Sequence, residues 1–321
     1  MDPGAKPLLY CIGGPTASGK TALGVELALK VGGAVISADS MQVYRFMDIG
    51  TAKPTPEEMR GVPHYMIDVL NPDETCSAAL YKGMADECLK RAYESGRQPI
   101  IVGGTGFYIN AVIGGVSFDG GPGGPGDSDE NLRAELYAFA GRYGNAALHA
   151  LLKEADEASF LAIHPNNVRR VVRALEYFRL TGRKISWDNM LARDKARAAC
   201  PYDVVFIAID AERRRLYERI NARVDAMFER GLAEEVEWLL RSGYGAGLTS
   251  MQGLGYKETA RYIKGEISLE EAKTAIKTGT RRYAKRQLTW FRRQCRADWV
   301  NLDEYGTHKI IQYIMKKGAR S

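Results

Sequence analysis

Residues Gly14-Pro15-Thr16-Ala17-Ser18-Gly19-Lys20-Thr21 stand between an apolar run, Leu8 to Ile12, and an Ala/Leu-rich helical stretch. This is G-x-x-x-x-G-K-[ST] in a strand-loop-helix setting, and it leaves the backbone little choice. The glycines let successive N–H groups curl around an anion, Lys20 supplies a point charge, and the Thr21 hydroxyl is placed to ligate Mg2+ at a helix N-terminus. One ligand therefore carries a di- or triphosphate. The loop alone does not say whether that phosphate is attacked or departs.

The pattern around the loop extends the same architecture. Apolar strands at Leu8 to Ile12, Ala34 to Ile36 and Pro99 to Val102 alternate with helical stretches at Thr21 to Lys30 and Ala78 to Ser95. Short strands separated by helices argue for a parallel sheet covered on both faces. The Gly- and Pro-rich stretch Gly114 to Ser128 reads as a linker. From Asp129 to about Thr181 only helical periodicity is present. Its clearest helix follows Asn166 or Asn167 as cap, carries Val168, Val171, Val172, Leu175 and Phe178 as its apolar stripe, and stops at Gly182. Arg169, Arg170 and Arg173 then share the opposite face.

Strand character returns at Asp203 to Ile209, so the helical segment reads as an insertion in one α/β domain. The expected fold is a P-loop NTPase-like parallel-sheet core with an inserted all-helical module. Residues 1–126 and 201–321 make the core, and residues 127–200 make the module. Beyond the returning strand, Leu216, Ile220, Val224 and Phe228 trace a helix broken near Gly231, with Arg215, Arg219 and Arg223 on one face. A final helix starts at a capping box, Ser268 with Glu271. Lys273, Lys277, Arg281 and Lys285 form a basic stripe along it.

Composition narrows the partners. The chain of 321 residues is 45% hydrophobic and 26% charged, values of a globular protein with a real core. It lacks a signal-peptide pattern and any run of about 18 apolar residues, so a cytoplasmic protein without a membrane partner is expected. Cys11, Cys76, Cys88, Cys200 and Cys295 form no C-x-x-C pair and are read as reduced and mostly buried. From Glu270 to the end, thirteen Lys/Arg face five Asp/Glu, a local +8 that leaves −2 for the rest of a +6 chain. That imbalance fits a polyanion larger than a nucleotide.

Asp39, in I-S-A-D-S-M-Q-V-Y, lies just past a parallel strand, where open α/β sheets place their ligands. A carboxylate there serves as a Mg2+ ligand, a general base or a helix N-cap, and spacing alone does not choose. The strand Pro99 to Val102 ends in Gly103-Gly104-Thr105 and lacks an acidic residue. A nucleotide-hydrolysing motor is disfavoured accordingly.

Seven blocks taken in order, G-P-T-A-S-G-K-T, I-S-A-D-S-M-Q-V-Y with D-I-G-T-A-K-P, H-Y-M-I-D-V, I-V-G-G-T-G-F-Y, R-A-L-E-Y-F-R-L-T-G, L-G-Y-K-E and A-K-R-Q-L-T-W-F-R, resemble the bacterial tRNA dimethylallyltransferase family. They span residues 8 to about 293. The resemblance implies transfer of a dimethylallyl group from dimethylallyl diphosphate to N6 of adenosine 37, 3′ of the anticodon in tRNA, with Mg2+ as cofactor. It makes the cradle a leaving-group site. It also implies Asp39 as general base, Thr105 beside the bridging oxygen and Arg223 on the diphosphate.

By the same resemblance, tRNA contacts fall on Asp39, Ser40, Met41 and Gln42, on Thr105 and Arg133, on Arg169, Arg170, Val171, Val172 and Arg173, and on Gln252, Gly253, Leu254, Gly255, Tyr256 and Lys257. The linker is longer and more Gly-rich than the family pattern, and Arg169 stands where many relatives have glutamine. Two other readings share the cradle: an adenylate prenyltransferase acting on free AMP, and a noncatalytic RNA-binding P-loop protein. The basic segment weighs against the first, and the intact Gly14, Gly19, Lys20 and Thr21 weigh against the second.

Overall fold

A computed structural model of the protein describes residues 6–114, 129–198 and 200–319. Residues 115–128 of the expected linker, and with them the expected boundary at residue 126, lie outside these. The chain divides into two compact units, one of Met1–Ile113 with Pro201–Ser321 and the other of Gly114–Cys200.

The first unit is built on a six-stranded, all-parallel sheet. Its strands are β1 (Leu8–Gly13), β2 (Gly33–Ser37), β3 (His64–Tyr65), β4 (Gln98–Gly103), β5 (Asp203–Asp210) and β6 (Asp298–Asn301). The spatial order is β3-β2-β4-β1-β5-β6, with every pair parallel. Alternation along the strands divides the core. Tyr10 and Ile12 pack under the helices Lys20–Val31 and Leu302–Gly318. Leu9 and Cys11 face the other side, against Tyr81, Leu89, Ile109 and Phe291. The helices on that face are Ala78–Glu94, Gly106–Ile113 and Leu269–Gln294. With both faces covered, near-continuous apolar strands are the stable solution.

The chain leaves β1 toward β2 on one side and β4 toward β5 on the other, which makes the gap above β1 and β4 a topological switch point. The loops that follow β1, β2 and β4 converge there.

Within the second unit every described element is a helix, as the periodicity predicts. Leu136, Leu148, Leu152, Val171, Val172 and Leu175 form its core. Glu176, fully buried, is ion-paired to Arg133 at 2.8 Å and to Arg173 at 3.1 Å. A buried carboxylate needs such partners. The helix Val168–Thr181 begins after Asn167, whose side chain makes no cap bond, and ends at Gly182 in the left-handed region (φ 68).

Two expectations are corrected and a third is borne out. The helix opened by the Ser268/Glu271 box, Leu269–Gln294, is not the last element, because β6 and the helix Leu302–Gly318 follow it. β6 is only four residues long, too short to show alternation. Of the cysteines only Cys11 is buried; the other four are half-buried, and none of the five is in a disulfide. The break near Gly231 is real: Gly231, with φ 95, separates the helices Arg213–Glu229 and Leu232–Arg241.

Candidate active site

The phosphate loop bridges β1 and the Lys20–Val31 helix. Ala17 (φ 60) and Gly19 (φ 86) adopt left-handed conformations, and alternating handedness of this kind turns successive N–H groups toward one point. Lys20 Nζ donates to Pro15 O at 3.2 Å. Among the described residues the buried Ser18 hydroxyl has no hydrogen-bond partner, which leaves it able to serve an anion held in the cradle. From the Arg213–Glu229 helix, Arg223 Nη1 reaches Thr16 Oγ1 at 3.4 Å.

Two cations thus meet at the cradle with little to neutralise them. Burial pushes the Lys20 ammonium down to about 8, the Asp39 carboxylate opposes that shift, and Arg223 adds to it. Burial also lowers Arg223, again opposed by Asp39. Charges held out of water in this way are stabilised when an anion arrives. The cleft beside them, about 520 Å³, is lined by Gly19, Lys20, Thr21, Lys53, Arg223 and Arg230 among others.

Asp39 is placed by a close approach of two loops. Gly103 has no room for a side chain, since a Cβ there would stand 2.1 Å from Ala38 O. The backbone after β2 therefore lies directly on the turn after β4: Thr105 N–H donates to Ala38 O at 3.0 Å, and Ser40 N–H donates to Thr105 Oγ1 at 3.1 Å. Asp39 Oδ1 accepts from Met41 N–H at 2.9 Å. No helix follows, so the N-cap alternative is withdrawn. Among the described residues no cation stands within ion-pairing distance of this carboxylate.

The remaining segments named in the sequence separate into exposed and buried parts. Gly253 rests on Met41, where a Cβ would be 2.5 Å from Met41 Cε, so the loops carrying 39–42 and 252–257 are neighbours. Gln42 bridges from Ser37 Oγ (2.9 Å) to Ala52 O (3.2 Å), and Gln252 Nε2 donates to Ala246 O. Leu254 packs where Gly279 leaves space, and Lys257 pairs with Glu258 at 3.6 Å. Tyr256 is fully buried, its hydroxyl on Glu235 Oε1 at 2.7 Å. In the helical unit Val171 and Val172 are buried while Arg169 and Arg170 are exposed. Arg219 is bonded to Asp303 and is a surface clasp.

Several site residues were missed in the sequence. Gln287 and Tyr283, on the Leu269–Gln294 helix, reach the phosphate loop and Thr105. Glu235 accepts the backbone N–H groups of Asp48 (2.9 Å), Ile49 (2.7 Å) and Gly50 (3.2 Å), holding the loop that lines the cleft. Lys53, buried, binds Asp48 and Asp68 Oδ1, the latter at 2.6 Å. The only sequence signal for Gln287 was a polar residue amid the apolar positions of an amphipathic helix.

A family model described as IPP transferase matches residues 42–294. The chain belongs to the IPP transferase family. Relatives of this family member extend the likeness through the cradle and Asp39. A tRNA dimethylallyltransferase of Lachnoclostridium phytofermentans is 47% identical over 309 residues, covering 96% of each chain. One of Shouchella clausii is 48% identical over 308 residues, covering 95% of each. Among solved structures, the tRNA isopentenylpyrophosphate transferase of Bacillus halodurans superposes with a TM-score of 0.72 at 44% identity, covering 98% of both chains. A eukaryotic dimethylallyltransferase acting on tRNA gives 0.77 at 26% identity, over 96% of this chain and 78% of that one.

Proposed function

We propose that this IPP transferase family member moves a dimethylallyl group from dimethylallyl diphosphate to N6 of adenosine 37, next to the anticodon of tRNA, and releases diphosphate. The observation that carries the reading is the pair of desolvated cations, Lys20 in the phosphate loop and Arg223 reaching it from a neighbouring helix, near a carboxylate that among the described residues has no ion-pair partner.

In the transfer, the N6 lone pair attacks C1 as the C1–O bond breaks, and the bonding electrons leave on the diphosphate. The cradle amides, Lys20 and Arg223 stabilise that growing charge. Asp39 accepts the N6 proton, which matters because the exocyclic amine is a poor nucleophile with its lone pair spread into the ring. The Thr105 hydroxyl, one loop away, donates toward the bridging oxygen.

Mg2+ suits the cradle's chemistry: the Thr21 hydroxyl, in the first turn of the Lys20–Val31 helix, is the side chain that would hold it beside the diphosphate. Bound there, the ion would neutralise charge on the diphosphate.

For tRNA, Arg133, Arg169, Arg170 and Arg173 of the helical unit engage backbone phosphates, which position without reading sequence. The target base leaves its stack to reach Asp39, at roughly a few kcal/mol. Among the described residues no helix is long and apolar enough to cross a membrane, and the proposed setting is the cytoplasm. The test is incubation with Mg2+, dimethylallyl diphosphate and either unmodified tRNA or AMP, followed by mass spectrometry of nucleosides. An adduct on adenosine in tRNA alone is expected. An adduct on AMP, or on neither acceptor, overturns the reading.

A further inference from the structure

The Leu269–Gln294 helix turns a buried face toward the cradle, and three glycines permit the approach. A Cβ at Gly13 would stand 2.6 Å from Phe291, one at Gly106 1.8 Å from Trp290, and one at Gly104 2.2 Å from Gln287 Nε2. Gln287 itself is only 6% exposed, and both ends of its amide are used. Oε1 accepts the Thr16 N–H at 2.9 Å, and Nε2 donates to Gly104 O at 2.9 Å. Tyr283, one turn earlier, places its hydroxyl against Thr105 and Gln287. One side chain therefore straps the phosphate loop after β1 to the turn after β4.

We infer that Gln287 is a positioning residue of the transfer reaction: by joining Thr16 to Gly104 it sets the distance between the diphosphate cradle and the Thr105 hydroxyl. The inference rests on the function proposed above. β1 and β4 are paired neighbours, but their loops have no ladder to hold them in register. A hydroxyl assists departure only within hydrogen-bond reach of the leaving oxygen, and a displacement of about 1 Å is enough to cost roughly 100-fold. Polar strapping of a buried loop pair is also exacting, because an amide that satisfies both partners leaves no equally good second arrangement.

The experiment uses the full chain with dimethylallyl diphosphate, Mg2+ and unmodified tRNA. Gln287→Met keeps length and packing but loses both bonds. The expected result is a kcat lower by about 10- to 100-fold with KM for donor and tRNA each within about threefold. In a Thr105→Val background the same change should lower kcat by less than about twofold further, since the two residues act as one unit. A kcat per folded protein unchanged by Gln287→Met, or losses that simply multiply in the double variant, would overturn the inference. If Gln287→Met fails to fold, Gln287→Asn, one methylene too short to reach both partners, serves the same comparison. Inactive wild-type protein would count against the proposed function; active wild type with an unimpaired variant counts against Gln287 alone.

Discussion

The depressed ammonium of Lys20 makes diphosphate binding a proton-linked event. Burial holds Lys20 down to about 8 in the free protein, against an ordinary value of 10.5. A diphosphate in the cradle stabilises the charged form, so binding takes up a proton wherever Lys20 is neutral beforehand. At pH 8 roughly half a proton should be taken up per diphosphate bound, and at pH 9 about nine-tenths. Relative to Lys20→Met, whose profile carries the titration of diphosphate itself, affinity should be level below about pH 7.5 and fall by about tenfold per pH unit above 8. Isothermal titration calorimetry with inorganic diphosphate and Mg2+, repeated in buffers of different ionisation enthalpy, reads both quantities. Lys20→Met should weaken binding and erase the uptake. The sign for stability follows from the same depression: without ligand, the unfolded chain binds the proton more tightly, so the penalty is complete below pH 8 and relieved between 8 and 10.5. Lys20→Met should therefore raise Tm at pH 7 and lose that advantage by pH 10. An affinity ratio to Lys20→Met that stays constant from pH 7.5 to 9.5, or proton uptake that survives in that variant, would show that Lys20 is not the group that titrates.

Asp39→Ala should lower kcat by about 10²–10⁴ with tRNA affinity nearly unchanged, checked by single-turnover kinetics beside a binding titration; near-normal turnover removes Asp39 as the base. Glu235→Ala strips three backbone N–H groups and the Tyr256 hydroxyl of their acceptor, and should cost about 2–4 kcal/mol in chemical denaturation. Glu176→Ala takes away the buried carboxylate that Arg133 and Arg173 share, at about 2 kcal/mol. Faster amide exchange confined to the Val168–Thr181 helix and its packing partners is the expected signature.

What could be read in advance was local. The cradle is eight consecutive residues whose chemistry does not depend on distant partners, and the β1, β2, β4 and β5 strands announce themselves as apolar runs. Asp39 was legible as a residue past a strand end, but its setting beside Thr105 depends on the Gly103–Ala38 approach, which brings together loops far apart in sequence. Gln287 was hidden for the same reason, with partners 271 and 183 residues away. The basic stripe on its helix drew attention to the solvent side. Lys277, however, pairs with Asp225 at 2.6 Å and Lys273 lies over Phe228, so part of that stripe is spent on packing. Arg282, Lys285 and Arg286 stay exposed. Tyr256 and Val171 show the limit of carrying a contact segment over whole: neighbours in sequence point to opposite sides of the backbone, and burial decides which can meet a ligand.

The proposed function has the cradle hold a leaving diphosphate while the organic group moves to RNA. Its most direct test is the ratio of diphosphate released to prenylated adenosine formed, measured together on one tRNA reaction with a donor carrying ¹⁸O at the bridging position. One diphosphate per adduct is expected, with the label in the diphosphate. Orthophosphate as the product, or label retained on the prenyl group, would contradict it.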